Sequence, residues 1–361
     1  MSKRTKILAA AAAIALLVFT LSTTVMSVVM LVNQSNVNRM IAVYTGQLQD
    51  PEQEDDVVIG MNYTIKSTTH ISDAYKSGDT SKLNDRDKET LDMAKAVIEE
   101  IIKDDMTEFE KEEAVYKYLT KGMKATTSIL TVIADTSGDY DNPHDVLKNH
   151  SAVCVGYATT FRLFMQMLGI ECRVVHNTSL GHSWDLVKLD DGCWYHTDCY
   201  MDNESSNYRN FNMDDVACRN SGHEWNTGYF EPATGKKYNY TLMTCKKIKN
   251  IYAIPKAVME ALKEKKQTFS FSFNEKIKPD DEKLAKYMVE QLESEMSNSE
   301  KLYISSQWII NDDGEYILCY YLTYNGDSAD ELTEKQRNKI DSKISQVLNQ
   351  YNYYENYGYD Y

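Results

Sequence analysis

Between Lys6 and Arg39 the chain carries no charged side chain, and from Ile7 to Val32 it is dominated by apolar residues. As a helix this stretch extends about 39 Å at 1.5 Å per residue, more than the roughly 30 Å hydrocarbon core of a bilayer. A secretory signal has an apolar region of about 7–15 residues and then a small-residue cleavage site. Here the polar break at Ser22-Thr23-Thr24 is mild, and Val25 to Val32 continues the apolar run. The pattern predicts an uncleaved signal-anchor over 7–32. Lys3, Arg4 and Lys6 precede it, and Arg39 alone follows closely. By the positive-inside rule residues 1–6 are then cytoplasmic and everything after Asn33 is extracytoplasmic, which makes a single-pass cell-membrane protein. A buried core helix at this position would show a charged face, and the run has none.

The 361 residues leave room for about two domains beyond such an anchor. With 39 basic and 54 acidic side chains the net charge is −15. That excludes a nucleic-acid binder, which needs a basic surface to displace counterions from phosphate. Seven cysteines occur, at 154, 172, 193, 199, 218, 245 and 319. Outside the cytoplasm an odd count implies one free thiol and up to three bridges of unspecified connectivity. Cys193, His196 and Cys199 invite a zinc reading. Residues three apart on a strand face opposite sides, so these three would not converge, and no metal is expected.

Along the chain, residues 33–84 are polar and acidic and read as a stalk. Leu91, Ala94, Ile98 and Ile101 recur at helical spacing. Thr107 and Glu110 form a capping box that opens a second helix, with Phe109, Tyr116, Leu119 and Met123 on its buried face. Residues 135–150 read as a loop. From Tyr157 to Leu168 apolar residues again repeat with helical spacing, and Gly169 stands where a C-terminal cap belongs. Strands follow at 171–178, 182–189 and 193–200, the last two joined through Asp190-Asp191-Gly192. After Asn250 a smaller α+β domain is predicted, over 250–350. It has a strand at 268–273, a helix at 280–296, a hairpin of 302–310 with 315–324, and a last helix marked by Leu332, Ile340, Ile344 and Val347. Residues 351–361 form a Tyr/Asn tail, read as disordered.

Chemistry is best placed at Cys154, at the start of the helix. A thiol nucleophile needs stabilisation of its anion, a base within hydrogen-bond reach and a group that orients the base. Backbone N–H groups at a helix N-terminus supply the first. With a three-residue loop at 190–192, Leu189 pairs with Cys193 and Trp184 with Asp198. His182 is then the diagonal neighbour of Asp198 on one sheet face. His196 shares that face and competes as base. His176 reads as a packing residue, and His144 and His150 as substrate contacts. His70 and His223 show no partner in the sequence.

The wording around these residues is more specific than their order. Ala152-Val153-Cys154-Val155-Gly156-Tyr157-Ala158, Leu168-Gly169-Ile170, Gly181-His182-Ser183-Trp184-Asp185 and Trp194-Tyr195-His196-Thr197-Asp198 together resemble the bacterial transglutaminase-like superfamily, over residues 85–245. The resemblance implies an α+β, papain-like core in which the nucleophile helix packs on an antiparallel sheet. It implies a triad of Cys154 as nucleophile, His182 as base and Asp198 as orienter, with no cofactor. Ser183 and Asp185 depart from the Ala and Asn usual at those places, and Val155 from a more polar residue. The implied activity is acyl transfer or hydrolysis at amide bonds of a protein or peptide, cell-wall peptide included, through a thioester. The rival is a non-catalytic surface module that retains the fold.

Overall fold

The computed structural model describes residues 57–59, 63–125, 140–177, 181–203, 207–264, 266–274, 302–310, 315–324 and scattered positions from 334 to 349. The expected anchor at 7–32, the helix at 280–296 and the tail at 351–361 lie outside the described residues, as do Leu332, Ile340, Ile344 and Val347. Among the described residues no helix is long and apolar enough to cross a membrane.

Short strands β1 (Val57–Ile59) and β2 (Tyr63–Ile65) precede helix α1 (Thr69–Ser77). Ile65 is buried with Val155, Ala158 and Val174, and Arg162 Nη2 donates to the Lys66 carbonyl at 2.6 Å. Thr68 Oγ1 donates to Gln166 Oε1 at 2.6 Å. Residues 65–77 therefore belong to the core rather than to a stalk, and the expected boundary at 84 falls too late. One buried face of Ile71 and Ala74 is too short a pattern to be told from irregular polar sequence.

Helix α2 (Asp85–Ile101) is capped by Asn84 and buries Leu91, Ala94 and Ile98. Helix α3 (Glu108–Gly122) has the predicted capping box: Glu110 N donates to Thr107 Oγ1 at 3.3 Å, and Thr107 N to Glu110 Oε2 at 2.8 Å. Strand β3 (Lys124–Ala125) pairs in parallel with β4 (Ser151–Ala152). Between them, helix α4 (Pro143–Asn149) replaces much of the expected loop. Asn142 accepts from Asp145 N and Pro143 opens the helix, so the Asn-Pro pair is a helix start here and not a turn.

Helix α5 (Cys154–Met167) runs through the core of the described residues between 63 and 199. Every residue from Val155 to Met167 is buried, as expected of a helix covered on all sides. It packs on the sheet at one side and on α1, α3 and α4 at the others. It closes as predicted: Gly169 has φ +80°, Ile170 N donates to Met165 O at 2.8 Å and Gly169 N to Gln166 O at 3.1 Å, the Schellman pattern. At the other end Gly156 has a different task. A Cβ there would sit 2.0 Å from Tyr140 O and 2.8 Å from Val146 Cγ2, so only glycine lets this turn approach the preceding loop.

The sheet under α5 is an antiparallel meander of β5 (Glu171–Asn177), β6 (His182–Lys188) and β7 (Trp194–Thr197). Lys188 pairs with Trp194 and Asp185 with Thr197, the register predicted from the three-residue loop. Gly192, at φ +76°, and its N–H to Leu189 O at 2.8 Å form that loop. The last strand ends at Thr197, so Asp198 lies just beyond it.

Helices α6 (Asp215–Asn220) and α7 (Tyr240–Met243) follow. A second sheet contains β8 (Cys245–Ile248), β9 (Thr268–Phe273), β10 (Leu302–Ile310) and β11 (Tyr316–Tyr324), in the order β10-β11-β9-β8. The predicted hairpin pairs as expected, Leu302 with Tyr324 through Ile310 with Tyr316. The sheet begins before residue 250, because β8 pairs in parallel with β9. Helix α8 (Ile254–Lys263) connects these two strands and has no counterpart in the sequence reading. All seven cysteines are free thiols, so the expected bridges are absent from this structure.

Candidate active site

Three elements converge at one end of α5. The helix brings Cys154 as its first residue, with Val153 as a cap that offers no side-chain acceptor. The N–H groups of the first turn therefore have no side-chain partner of that kind and point toward the thiol end. Strand β6 begins at His182, and the chain leaving β7 presents Asp198. His182 Nε2 lies 2.6 Å from Asp198 Oδ2. The other ring nitrogen, Nδ1, is left for Cys154, whose thiol favours the charged imidazole. Cys154 Sγ also lies 3.7 Å from the Gly181 carbonyl. The structure thus brings together the three residues singled out in the sequence.

The electrostatics divide the pair sharply. Burial opposes a charged His182, but the Asp198 charge and hydrogen bond, with a smaller contribution from Cys154, outweigh it and push the imidazole up to about 10. Burial likewise opposes a charged Asp198. The His182 charge and hydrogen bond, joined by a hydrogen bond from His223, hold its carboxyl well below the usual range. Asp198 is nearly solvent-free, at 1% exposure. A carboxylate so buried persists only because donors surround it. Met201 N donates to Oδ1 at 2.9 Å, and Oδ2 takes both His182 and His223 Nε2, the latter at 2.8 Å.

His223 is the residue that the sequence reading missed. The sequence shows it no partner, yet it is buried at 3% exposure against Asp198. One sequence signal was available: Gly222-His223-Glu224-Trp225 repeats the pattern of Gly181-His182-Ser183-Trp184. His70 also has a partner, Asp87 Oδ2 at 3.1 Å, on the surface.

His196 is turned away from the thiol. Trp184 Nε1 donates to its Nδ1 at 3.0 Å, so Nε2 carries the proton and donates to Asp215 Oδ1 at 3.1 Å. Burial pushes its imidazole down and keeps it neutral. It supports Trp184, whose ring stacks on His182 with centroids 5.8 Å apart. His176 pairs with Ser183 Oγ at 2.5 Å. Burial, then the His182 charge, push it down to about 4. His144 binds Asp145 Oδ1 and Glu89 Oε2, at 2.8 and 2.9 Å, and so ties α4 to α2. His150 closes α4 in a left-handed conformation, φ +50°. Asp185, the departure from Asn, faces Cys172 Sγ at 3.6 Å, and burial pushes its carboxyl far up despite the Arg162 charge.

His182, Asp198 and His223 offer three potential metal ligands close together. Ligands around tetrahedral zinc stand about 3.3 Å apart, for bonds near 2.0 Å. The 2.6 and 2.8 Å separations to Asp198 Oδ2 are those of hydrogen bonds, so the cluster does not fit an ion as it stands.

Residues 95–199 match the family model of the transglutaminase-like superfamily, and this segment holds Cys154, His182 and Asp198. The α+β core, with a helix opening at Cys154 over a three-stranded sheet, fits that description. A solved structure titled "Crystal structure of a TGase" is 17% identical, covering 40% of this chain and 43% of its own, with a TM-score of 0.26. The chain thus spans less than half the length of that protein. No curated protein matches.

Proposed function

We propose that this is a thiol enzyme of transglutaminase-like type that transfers or hydrolyses acyl groups at amide bonds of a protein or peptide, cell-wall peptide included. The observation that carries the reading is the 2.6 Å bond of His182 Nε2 to a buried Asp198, which leaves Nδ1 for the thiol at the N-terminus of α5. Cys154 gives its proton to His182 Nδ1, and the thiolate attacks the amide carbon. The Cys154 backbone N–H, in the first turn where a helix offers no intrahelical acceptor, donates to the developing oxyanion. The tetrahedral adduct collapses to a thioester as His182 returns the proton to the departing amine. Asp198 holds the imidazole tautomer and balances its charge throughout. Water as the second acceptor gives proteolysis or deamidation; an amine gives a crosslink. In this reading the chain is held in the cell membrane through Ile7 to Val32, with the site outside, and that part rests on the apolar run alone.

A thiol-reactive amide probe tests the chemistry. Labelling confined to Cys154 supports an enzyme, and its absence in a folded protein favours a binding module. Mass spectrometry of surface peptides, with and without Cys154→Ala, then reads whether bonds are cut or joined. Recovery of a mature N-terminus beyond Val32 overturns the anchor.

A further inference from the structure

Oδ2 of Asp198 has two lone pairs in the carboxylate plane. His182 takes one and His223 the other. His223 arrives by a local device: α6 ends at Asn220, Gly222 adopts φ +95°, and the chain turns back so that His223 N donates to Cys218 O at 3.2 Å. Its ring then stands edge-on to Trp184, with centroids 4.8 Å apart. Nδ1 faces Ser221 Oγ at 2.8 Å. The Ser221 hydroxyl has one proton and three nearby acceptors, Nδ1, the Cys218 carbonyl at 2.9 Å and, more weakly, Met213 Sδ at 3.4 Å. A hydroxyl turned to donate to Nδ1 makes that nitrogen the acceptor and places the ring proton on Nε2. In that orientation His223 donates through Nε2 to Asp198 Oδ2, at 2.8 Å.

We propose that His223 is a positioning residue for the reaction, held in this tautomer by Ser221, and that it acts by fixing the Asp198 carboxylate. The proposal rests on the reading of Cys154, His182 and Asp198 given above. With Met201 N on Oδ1 and two imidazoles on Oδ2, rotation of the carboxylate breaks three bonds at once. Without His223 one buried lone pair is unpaired, and the orienter of the base loses its lateral stop. His223 is no alternative base, since its proton-bearing nitrogen is committed to Asp198. A misplacement of about 1 Å in such a constellation costs on the order of 10²-fold in rate.

p-Nitrophenyl acetate separates the steps. Its burst of nitrophenolate counts acylation of Cys154, and the steady rate reports attack of water on the thioester, which needs His182 as base. The full chain is assayed in detergent as wild type, Cys154→Ala, His223→Leu and His223→Gln. The expected result is a burst in wild type that is absent in Cys154→Ala. His223→Leu should keep its burst, with a steady rate lower by about 10- to 100-fold and little change in KM. His223→Gln should recover most of that loss, because its amide N–H reaches Asp198 while its oxygen accepts from Ser221. A folded His223→Leu that turns over like wild type, or Leu and Gln variants that are equally slow, overturns the proposal. No burst in wild type sinks the underlying reading instead. If the Leu variant does not fold, Ser221→Ala against Ser221→Thr decides: a slower Ala with an unaffected Thr supports the proposal, and equal rates overturn it.

Discussion

Asp198→Asn puts the central electrostatic claim at risk. His182 stands at about 10 against an ordinary value of 6.5, although burial alone would lower it. The difference is worth roughly 5 kcal/mol of preference for the charged imidazole. Asp198 supplies the largest favourable part of it. Asparagine is nearly the same shape but cannot serve all three donors. If its oxygen takes the two imidazoles, its NH₂ faces the Met201 N–H that Oδ1 now accepts. If the amide turns over, the oxygen meets Met201 and the NH₂ confronts both histidines. Either way a buried donor loses its acceptor, and the full negative charge is gone. With only Cys154 left to oppose burial, His182 should fall well below 10, toward its ordinary 6.5. The imidazolium is then no longer held at neutral pH, and acyl transfer should drop by about 10²- to 10⁴-fold. The assay is NMR of ring-labelled histidine through a titration, with the steady rate of p-nitrophenyl acetate turnover beside it. An Asn variant whose His182 still titrates near 10 would refute the reasoning, whatever its activity.

Cys154→Ala should abolish acylation outright, read as loss of the ester burst, with the melting curve unchanged. His196→Ala should chiefly cost stability, about 2–4 kcal/mol in a urea melt, since it empties a buried site and strands Trp184 Nε1; a well-folded but inactive variant would show that the wrong histidine was assigned as base. Gly156→Ala should destabilise by about 1–3 kcal/mol, because its Cβ meets the Tyr140 carbonyl at 2.0 Å, and an unchanged melt contradicts that packing. Glu112 is raised by burial from 4.5 to about 8, so the folded state keeps a proton that the unfolded chain releases, and stability falls as pH rises from 4.5 to 8. Glu112→Gln should remove that slope, gaining on the order of 3 kcal/mol at pH 7 and little at pH 4.5; parallel pH dependence of wild type and variant counts against it.

Which parts of this site were legible follows from what sets each position. Cys154 opens a helix whose apolar repeat and Gly169 stop are written in consecutive residues. His182 and Asp198 meet because a three-residue loop sets the register of a hairpin, and Asp185 opposite Thr197 is that register. Such pairings are local in sequence and obey a period. His223 obeys none. It lies 25 residues from Asp198 and is delivered by a six-residue helix and a left-handed glycine, in a segment without hydrophobic alternation. Residues 65–77 are hard to place from sequence for a related reason. Their attachment depends on Arg162 and Gln166, nearly a hundred residues away, and their own composition is polar. His196 was ambiguous because a strand face does not reveal what packs over it; Trp184 and Asp215 decide that it supports rather than reacts.

The buried acids explain why one carboxylate among several can serve His182. Glu112, Asp185, Asp198 and Asp202 are all within 1% of complete burial. Burial dominates in three of them: Glu112 rises to about 8, Asp202 to about 6, and Asp185 far above its ordinary range. The Asp198 charge itself adds to the rise of Asp185 and Asp202. Burial thus disfavours the charged form of Glu112 and of Asp185 alike near Asp198. Asp198 goes the other way because it alone of the four accepts from two imidazoles. Groups of one chemical kind, pushed apart by their surroundings, take different roles. Where burial disfavours charge on Glu112 and Asp185, less negative potential competes with the carboxylate that faces His182. A change that ionised Asp185 or Glu112 would add a competing charge in the same low-dielectric core, without any imidazole to receive it.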